Sequence, residues 1–249
     1  MNKIKSLLLF ATFAVSLTAF AAKNPPPKTL QAVNLGSAAP FAVFGGTGVA
    51  NVGATVITGD LGSSIPSVTG FFAEDKGAGI VNGNIDDSDT GPENSAAAHA
   101  AASLGIAIKD AKGRPCPATQ IPAGCALARE LSGKTITPGV YTNSGVVTVS
   151  GPVYLSGNGV YIFQIAGGLT VNPGGTVVLE NSAQAANVFW VTTQATLNSV
   201  LAFDGTILST TSVTFTNKTG GTALTGRALA QTDVTFAGAD TVTVPPAAQ

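Results

Sequence analysis

Val188-Phe189-Trp190-Val191, Ala195-Thr196-Leu197-Asn198 and Leu201-Ala202-Phe203-Asp204 follow one another with only short links between them. In an extended chain side chains alternate, so Phe189 and Val191 point one way and Val188 and Trp190 the other. A strand that is apolar on both sides must be covered on both. The second segment alternates strictly, with Ala195 and Leu197 on one side and Thr196 and Asn198 on the other. The third segment closes the unit.

The unit recurs. Val160-Tyr161-Ile162-Phe163, Gly205-Thr206-Ile207-Leu208 and Gly226-Arg227-Ala228-Leu229 repeat the first segment. Val147-Thr148-Val149-Ser150, Leu169-Thr170-Val171-Asn172, Val213-Thr214-Phe215-Thr216 and Val234-Thr235-Phe236-Ala237 repeat the second. Val177-Val178-Leu179-Glu180 and Thr222-Ala223-Leu224-Thr225 repeat the third. Three short strands per unit, at a period of about 18 to 26 residues, describe the coils of a parallel β-solenoid.

Working outward, Leu35 to about Asn84 alternates short β-type runs such as Phe41 to Phe44 with Gly-rich turns, including Gly59-Asp60-Leu61-Gly62. One helix follows. Pro92 suits its first turn and Thr90 its cap, Glu93 and Lys109 with Lys112 complement its dipole, and Gly113 and Pro115 end it. Ala97, Ala101, Leu104, Ile108 and Ala111 make one shallow apolar stripe, fit to lie close against the doubly apolar strands.

The amino terminus has Lys3 and Lys5, an apolar run from Leu7 to Phe20 and the small-x-small Ala19-Phe20-Ala21, which reads as a signal peptide over 1–22. Residues 23–34, with Pro25-Pro26-Pro27, read as an extended linker, and 35–249 as one domain. Export is expected, and Cys116 and Cys125 are expected to form a structural disulfide. Charged residues are only 10% of the chain and the net charge is −1. This excludes the basic stripe that nucleic acid or an anionic membrane requires, and leaves hydroxyls and amides to meet a neutral, hydrogen-bonding partner.

The second segments supply such a surface. Their outward residues are Thr148, Ser150, Thr170, Asn172, Thr196, Asn198, Thr214, Thr216, Thr235 and Ala237. Coils stack about 4.8 Å apart, and alternate residues along a strand lie about 6.7 Å apart. This gives a flat, uncharged two-column grid with spacings of the order of the ice lattice. Each threonine offers a methyl that disfavours bulk-like hydration and a hydroxyl that anchors water. Threonine is also simply favoured in strands, so the pattern alone leaves a plain solvated ladder open.

Other features point to structure. His99 is the only histidine and sits off the helical stripe, with no partner for zinc or a triad. Asp86, Asp87, Asp89 and Glu93 lack calcium-loop spacing and suit the helix start. Asp60 belongs to a turn, and Asn217-Lys218-Thr219 is a glycosylation sequon meaningful only in a eukaryotic host. A polysaccharide-cleaving solenoid needs clustered carboxylates, for which Glu180 and Asp204 are the only hint. A surface adhesin or carbohydrate-binding solenoid would show an exposed aromatic strip.

From Leu35 onward the chain resembles the secreted microbial ice-binding (antifreeze) proteins. The matching stretches are Ala39-Pro40-Phe41-Ala42-Val43, Val56-Ile57-Thr58-Gly59-Asp60-Leu61-Gly62, Leu131-Ser132-Gly133-Lys134-Thr135-Ile136-Thr137-Pro138-Gly139-Val140-Tyr141, Ala186-Asn187-Val188-Phe189-Trp190 and Gly226-Arg227-Ala228-Leu229-Ala230. The resemblance implies a mostly β fold: a right-handed, discontinuous parallel β-solenoid with one long helix along a face and a capping segment between the first coil and that helix. It implies an ice-binding face on the ten outward residues, and hence a secreted monomer that adsorbs to ice, gives thermal hysteresis and inhibits recrystallisation. No enzyme activity, cofactor, metal or protein partner is expected. Where relatives often carry Thr on the first coil, this chain has Ala50 and Val52, and Ala237 interrupts the grid again.

Overall fold

The computed structural model of the chain describes residues 29–65, 67–72, 78–87, 95–117, 120, 124–198, 202–216 and 220–248. The signal peptide, Thr90, Pro92, Glu93, Leu201 and the sequon at Asn217 lie outside them. The strands pair in parallel into three faces.

The threonine-bearing face runs, in spatial order, Val147–Val149, Gly168–Val171, Gln194–Leu197, Val213–Phe215, Asp233–Phe236, Gly48–Asn51 and Val68–Thr69. Thr235 pairs with Ala50. The amino-terminal coils therefore stack beyond the carboxy-terminal coil, which is the discontinuity. The chain returns to the far end of the stack through the helix Ala96–Gly113. Eighteen helical residues reach about 27 Å, enough to run past five or six coils at their spacing.

The helix covers the face built from Gly139–Asn143, Tyr161–Ile165, Val188–Thr192 and the later parts of Phe203–Ser209 and Ala223–Ala230, with Phe41–Gly45 beyond them. Side-chain alternation divides the apolar residues into two cores. Val188, Trp190 and Phe163 point into the solenoid with Leu197, Phe215 and Phe236. Phe189, Val191, Ile162, Val140, Leu208 and Leu229 point outward onto Ala97, Ala100, Leu104, Ala107, Ile108 and Ala111. The alanine stripe is thus a contact surface, wider than expected by Ala100 and Ala107. Inside, Phe163 stacks on Trp190 with centroids 4.1 Å apart, and the indole N–H donates to the Asp204 carbonyl.

Three expectations change. The helix starts later than Pro92: Ser95 is its cap, accepting from the Ala98 N–H at 3.0 Å, and the Asp86 carboxylate accepts from the Ala97 N–H at 3.1 Å. The third segments around Phe203 and Leu224 are not separate strands. They continue into the helix-covered strand as Phe203–Ser209 and Ala223–Ala230, bending at the paired Gly205 and Gly226. The stretch 29–34, expected to be linker, packs on the helix: Val33 is buried, and Arg114 clamps the carbonyls of Gln31 and Ala32. Glu180 pairs with Ser156 and Asp204 with Thr225, while the strand of Glu180 lies beside that of Asp204 through the Val177 N–H to Ala202 carbonyl bond. Cys116 and Cys125 are joined as expected, and Asp60 holds its turn by accepting from the Asn84 N–H.

Candidate functional site

The first column of the grid is continuous in register. Thr148 pairs with Thr170, Thr170 with Thr196, Thr196 with Thr214 and Thr214 with Thr235. Ala50 and then Thr69 extend it. The apolar rung at Ala50 therefore lies inside the column rather than at its start, because the amino-terminal coil is stacked last. Thr69 was missed in the sequence because Val68–Thr69 is too short to show alternation.

The second column holds Ser150, Asn172, Asn198, Thr216, Ala237 and Val52. Each of the last five donates its backbone N–H to the preceding coil, at Val149, Val171, Leu197, Phe215 and Phe236 respectively. All ten expected residues therefore share one surface, with Val52 added at its end as an 80% exposed apolar side chain. Behind the grid, Val147, Leu169, Ala195 and Val213 and the stacked rings of Phe215 and Phe236 are fully buried, so the outward side chains stand on a close-packed support.

The columns differ in their hydrogen bonding. In the first, no hydroxyl of Thr148, Thr170, Thr196, Thr214 or Thr235 is bonded to another group among the described residues. In the second, Asn172 Nδ2 donates to Ser150 Oγ at 3.1 Å, and the Thr216 hydroxyl donates to Asn198 Oδ1. The first column thus keeps its hydroxyls for solvent, while the second is partly satisfied within itself.

Two other threonine ladders show how context sets the role. At one corner, Thr193, Thr211 and Thr232 donate to the carbonyls of Ala166, Thr193 and Thr211, so each hydroxyl staples one coil to the next. On the third face Thr225, Thr243 and Thr58 are exposed and in register. That run ends at the carboxylate of Asp204, and Tyr154 and Val178 break the plane further along.

A charge borders the grid. Glu130 bridges to Thr148 at the end of the first column and accepts from the Ser132 and Ser150 N–H groups and hydroxyls. Slight burial works against its charge, but those hydrogen bonds outweigh it and hold the carboxyl below its ordinary value. The sequence pattern did not expose Glu130, because it precedes the first recognisable coil. No ring lies on either column, and Trp190 is fully buried. Among the described residues no cluster of His, Cys, Asp and Glu could hold a metal ion.

Residues 43–243 match the family of ice-binding-like proteins. The chain belongs to that family. It is 37% identical over 228 residues to an ice-binding protein of Flavobacterium frigoris, covering 88% of this chain and 78% of the relative. It is 36% identical over 223 residues to one from a Nostoc species, covering 87% and 76%. Among solved structures, an ice-binding protein from an Antarctic biological consortium superposes with a TM-score of 0.76 at 32% identity, over 88% of this chain and 94% of that one. The ice-binding protein of the ascomycete Antarctomyces psychrotrophicus gives 0.74 at 28% identity, over 87% and 100%. The family is ice-binding rather than enzymatic, and its fold is the mostly parallel, one-helix solenoid described above.

Proposed function

We propose that the chain binds ice through the two-column face and acts there by adsorption, without a catalytic step. The observation that carries this reading is the first column: five threonines in unbroken register, their hydroxyls unbonded among the described residues, on a close-packed support with charge only at its Glu130 border. Water ordered at one rung is about 4.8 Å from water at the next, so one ordered layer can extend over the whole column. Each contact is weak, but many made together on a rigid frame release slowly. The expected consequences are thermal hysteresis and inhibited recrystallisation. The protein works as an exported monomer and needs neither cofactor nor protein partner.

The test is thermal hysteresis and recrystallisation inhibition measured on the chain from Lys23 onward. Crystals that stop growing within a temperature gap support the reading. Growth indistinguishable from buffer, together with retention on an immobilised polysaccharide, would replace it with the carbohydrate-binding alternative.

A further inference from the structure

The second column has a direction. Glu130 Oε2 accepts from the Ser150 hydroxyl at 3.1 Å, and Glu130 Oε1 accepts from the Ser132 hydroxyl at 2.5 Å. An ionised carboxylate can only accept, so Ser150 must give its one hydroxyl proton to Glu130. The Ser150 oxygen is then left as an acceptor, and Asn172 must meet it with Nδ2, as observed at 3.1 Å. The choice between the two ends of the Asn172 amide is therefore set by chemistry, with Oδ1 left on the other side. Further along, in a separate pair that no hydrogen bond among the described residues joins to Asn172, Thr216 donates to Asn198 Oδ1. These three donors, Ser150, Asn172 and Thr216, all give toward the Glu130 end of the stack.

We propose that Glu130 is a positioning residue of the ice-binding face, whose carboxylate fixes the donor direction of the second column over its first two rungs, Ser150 and Asn172, and so the order in which donors and acceptors meet the water layer there. The inference rests on the reading of this face as the ice-binding one. Without the carboxylate, Ser150 is free to rotate and Asn172 free to turn over. The column then presents a mixture of patterns, and only part of that mixture fits a single ordered layer. Preorganisation of this kind lowers the ordering that binding itself must impose. Glu130 touches no ring or apolar core residue through these bonds, so its replacement should cost only a modest part of the stability and leave the fold in place.

The experiment compares Glu130→Gln, Asn172→Ala and the double variant with the native chain. Thermal hysteresis and unfolding temperature are both recorded, at a pH where Glu130 is charged. An isosteric amide can donate to Ser150 and reverse its proton, so Glu130→Gln should lower hysteresis by about two-fold or more while the unfolding temperature stays close to native. Because both act through one ladder, the double variant should be no weaker than Asn172→Ala alone. Native hysteresis in Glu130→Gln, or losses that multiply in the double variant, would overturn the proposal. Should Glu130→Gln fail to fold, Glu130→Asp decides, since it keeps the charge but draws the carboxylate back from the Ser150 hydroxyl and leaves every residue of the face in place. There, lost hysteresis supports the proposal and native hysteresis refutes it. A Thr196→Tyr/Thr214→Tyr variant keeps the two readings apart. If it abolishes hysteresis while Glu130→Gln does not, only the positioning role fails. If it too leaves hysteresis intact, the face itself has been misassigned.

Discussion

Thr196 and Thr214 stand opposite each other on adjacent coils in parallel register, flanked on the same strands by the inward, fully buried Leu197 and Phe215. Outward and inward functions are thereby separated on a strand only a few residues long. Changing Thr196 and Thr214 to tyrosine should roughen the plane without touching the core. Hysteresis is expected to fall about ten-fold or more, since a raised ring prevents the neighbouring rungs from engaging together. Circular dichroism and the unfolding temperature should remain native. The matched control, Thr225→Tyr on the third face, should leave hysteresis unchanged, and an equal loss there would show that the plane is not the site.

Ala50 sits between Thr235 and Thr69 and is exposed. Ala50→Thr would fill the apolar rung of the first column at a position open to solvent, in a strand that favours β-branched residues. Hysteresis at equal concentration should rise, by about 1.5- to two-fold on the logic of one more simultaneous contact. A value at or below native would mean that the column's active length ends at Thr235.

Stability should depend on pH through two aspartates. Burial pushes the Asp204 carboxyl up to about 6, a rise only partly offset by a hydrogen bond from the Thr225 side chain. Burial likewise raises Asp240, against hydrogen bonds from Thr222 and Gly238. A raised carboxyl means that the folded state holds protons which the unfolded state has released, so stability declines as pH climbs from about 4 toward the folded values. Glu130 works oppositely: its contribution is present above its ordinary value and is lost as pH falls through its lowered one. Unfolding temperature should therefore be higher near pH 4.5 than at pH 7. Asp204→Asn should shrink that difference and leave the part due to Asp240. A native profile that is flat over this range would contradict the assignment.

Gly226 stacks on Gly205 where the chain bends from the third face to the helix-covered face. A Cβ on Gly226 would lie 1.9 Å from the Gly205 carbonyl oxygen, and Gly205 itself has φ of +113°. Gly226→Ala must push two coils apart, so a loss of about 1–3 kcal/mol is expected in denaturant unfolding. Gly113→Ala, with open space around its Cβ position, is the control and should lie within about 0.5 kcal/mol of native.

Much of this protein was legible in local pattern. Alternation in Leu169-Thr170-Val171 and in Val213-Thr214-Phe215 identified the strands, their inward sides and the ten surface residues. The doubly apolar Val188-Phe189-Trp190-Val191 showed that one face needed a cover, and the alanine stripe showed what covers it. These readings succeed because side-chain direction follows from backbone period alone. The start of the helix was less legible, because Thr90 and Ser95 are both acceptable caps and the winner depends on where Asp86 lands. The merging of the third segments into Phe203–Ser209 and Ala223–Ala230 was equally hidden, since it depends on two glycines meeting across coils.

The sequence by itself determined the coil, its three kinds of strand, the outward threonines and the low charge, all of which are set by neighbours a few residues apart. Only the tertiary structure decided the order of stacking and what it brings together. Ala50 and Thr69 join the end of a column whose other members lie beyond residue 147, and Glu130 comes to stand at its opposite end. Parallel pairing between coils is a long-range choice, made by whichever strand edges remain open once the helix has carried the chain the length of the solenoid. No local pattern records that choice. It is also what separates the threonines by role: those whose hydroxyls meet a carbonyl of the next coil staple the stack, and those that meet none are left to water.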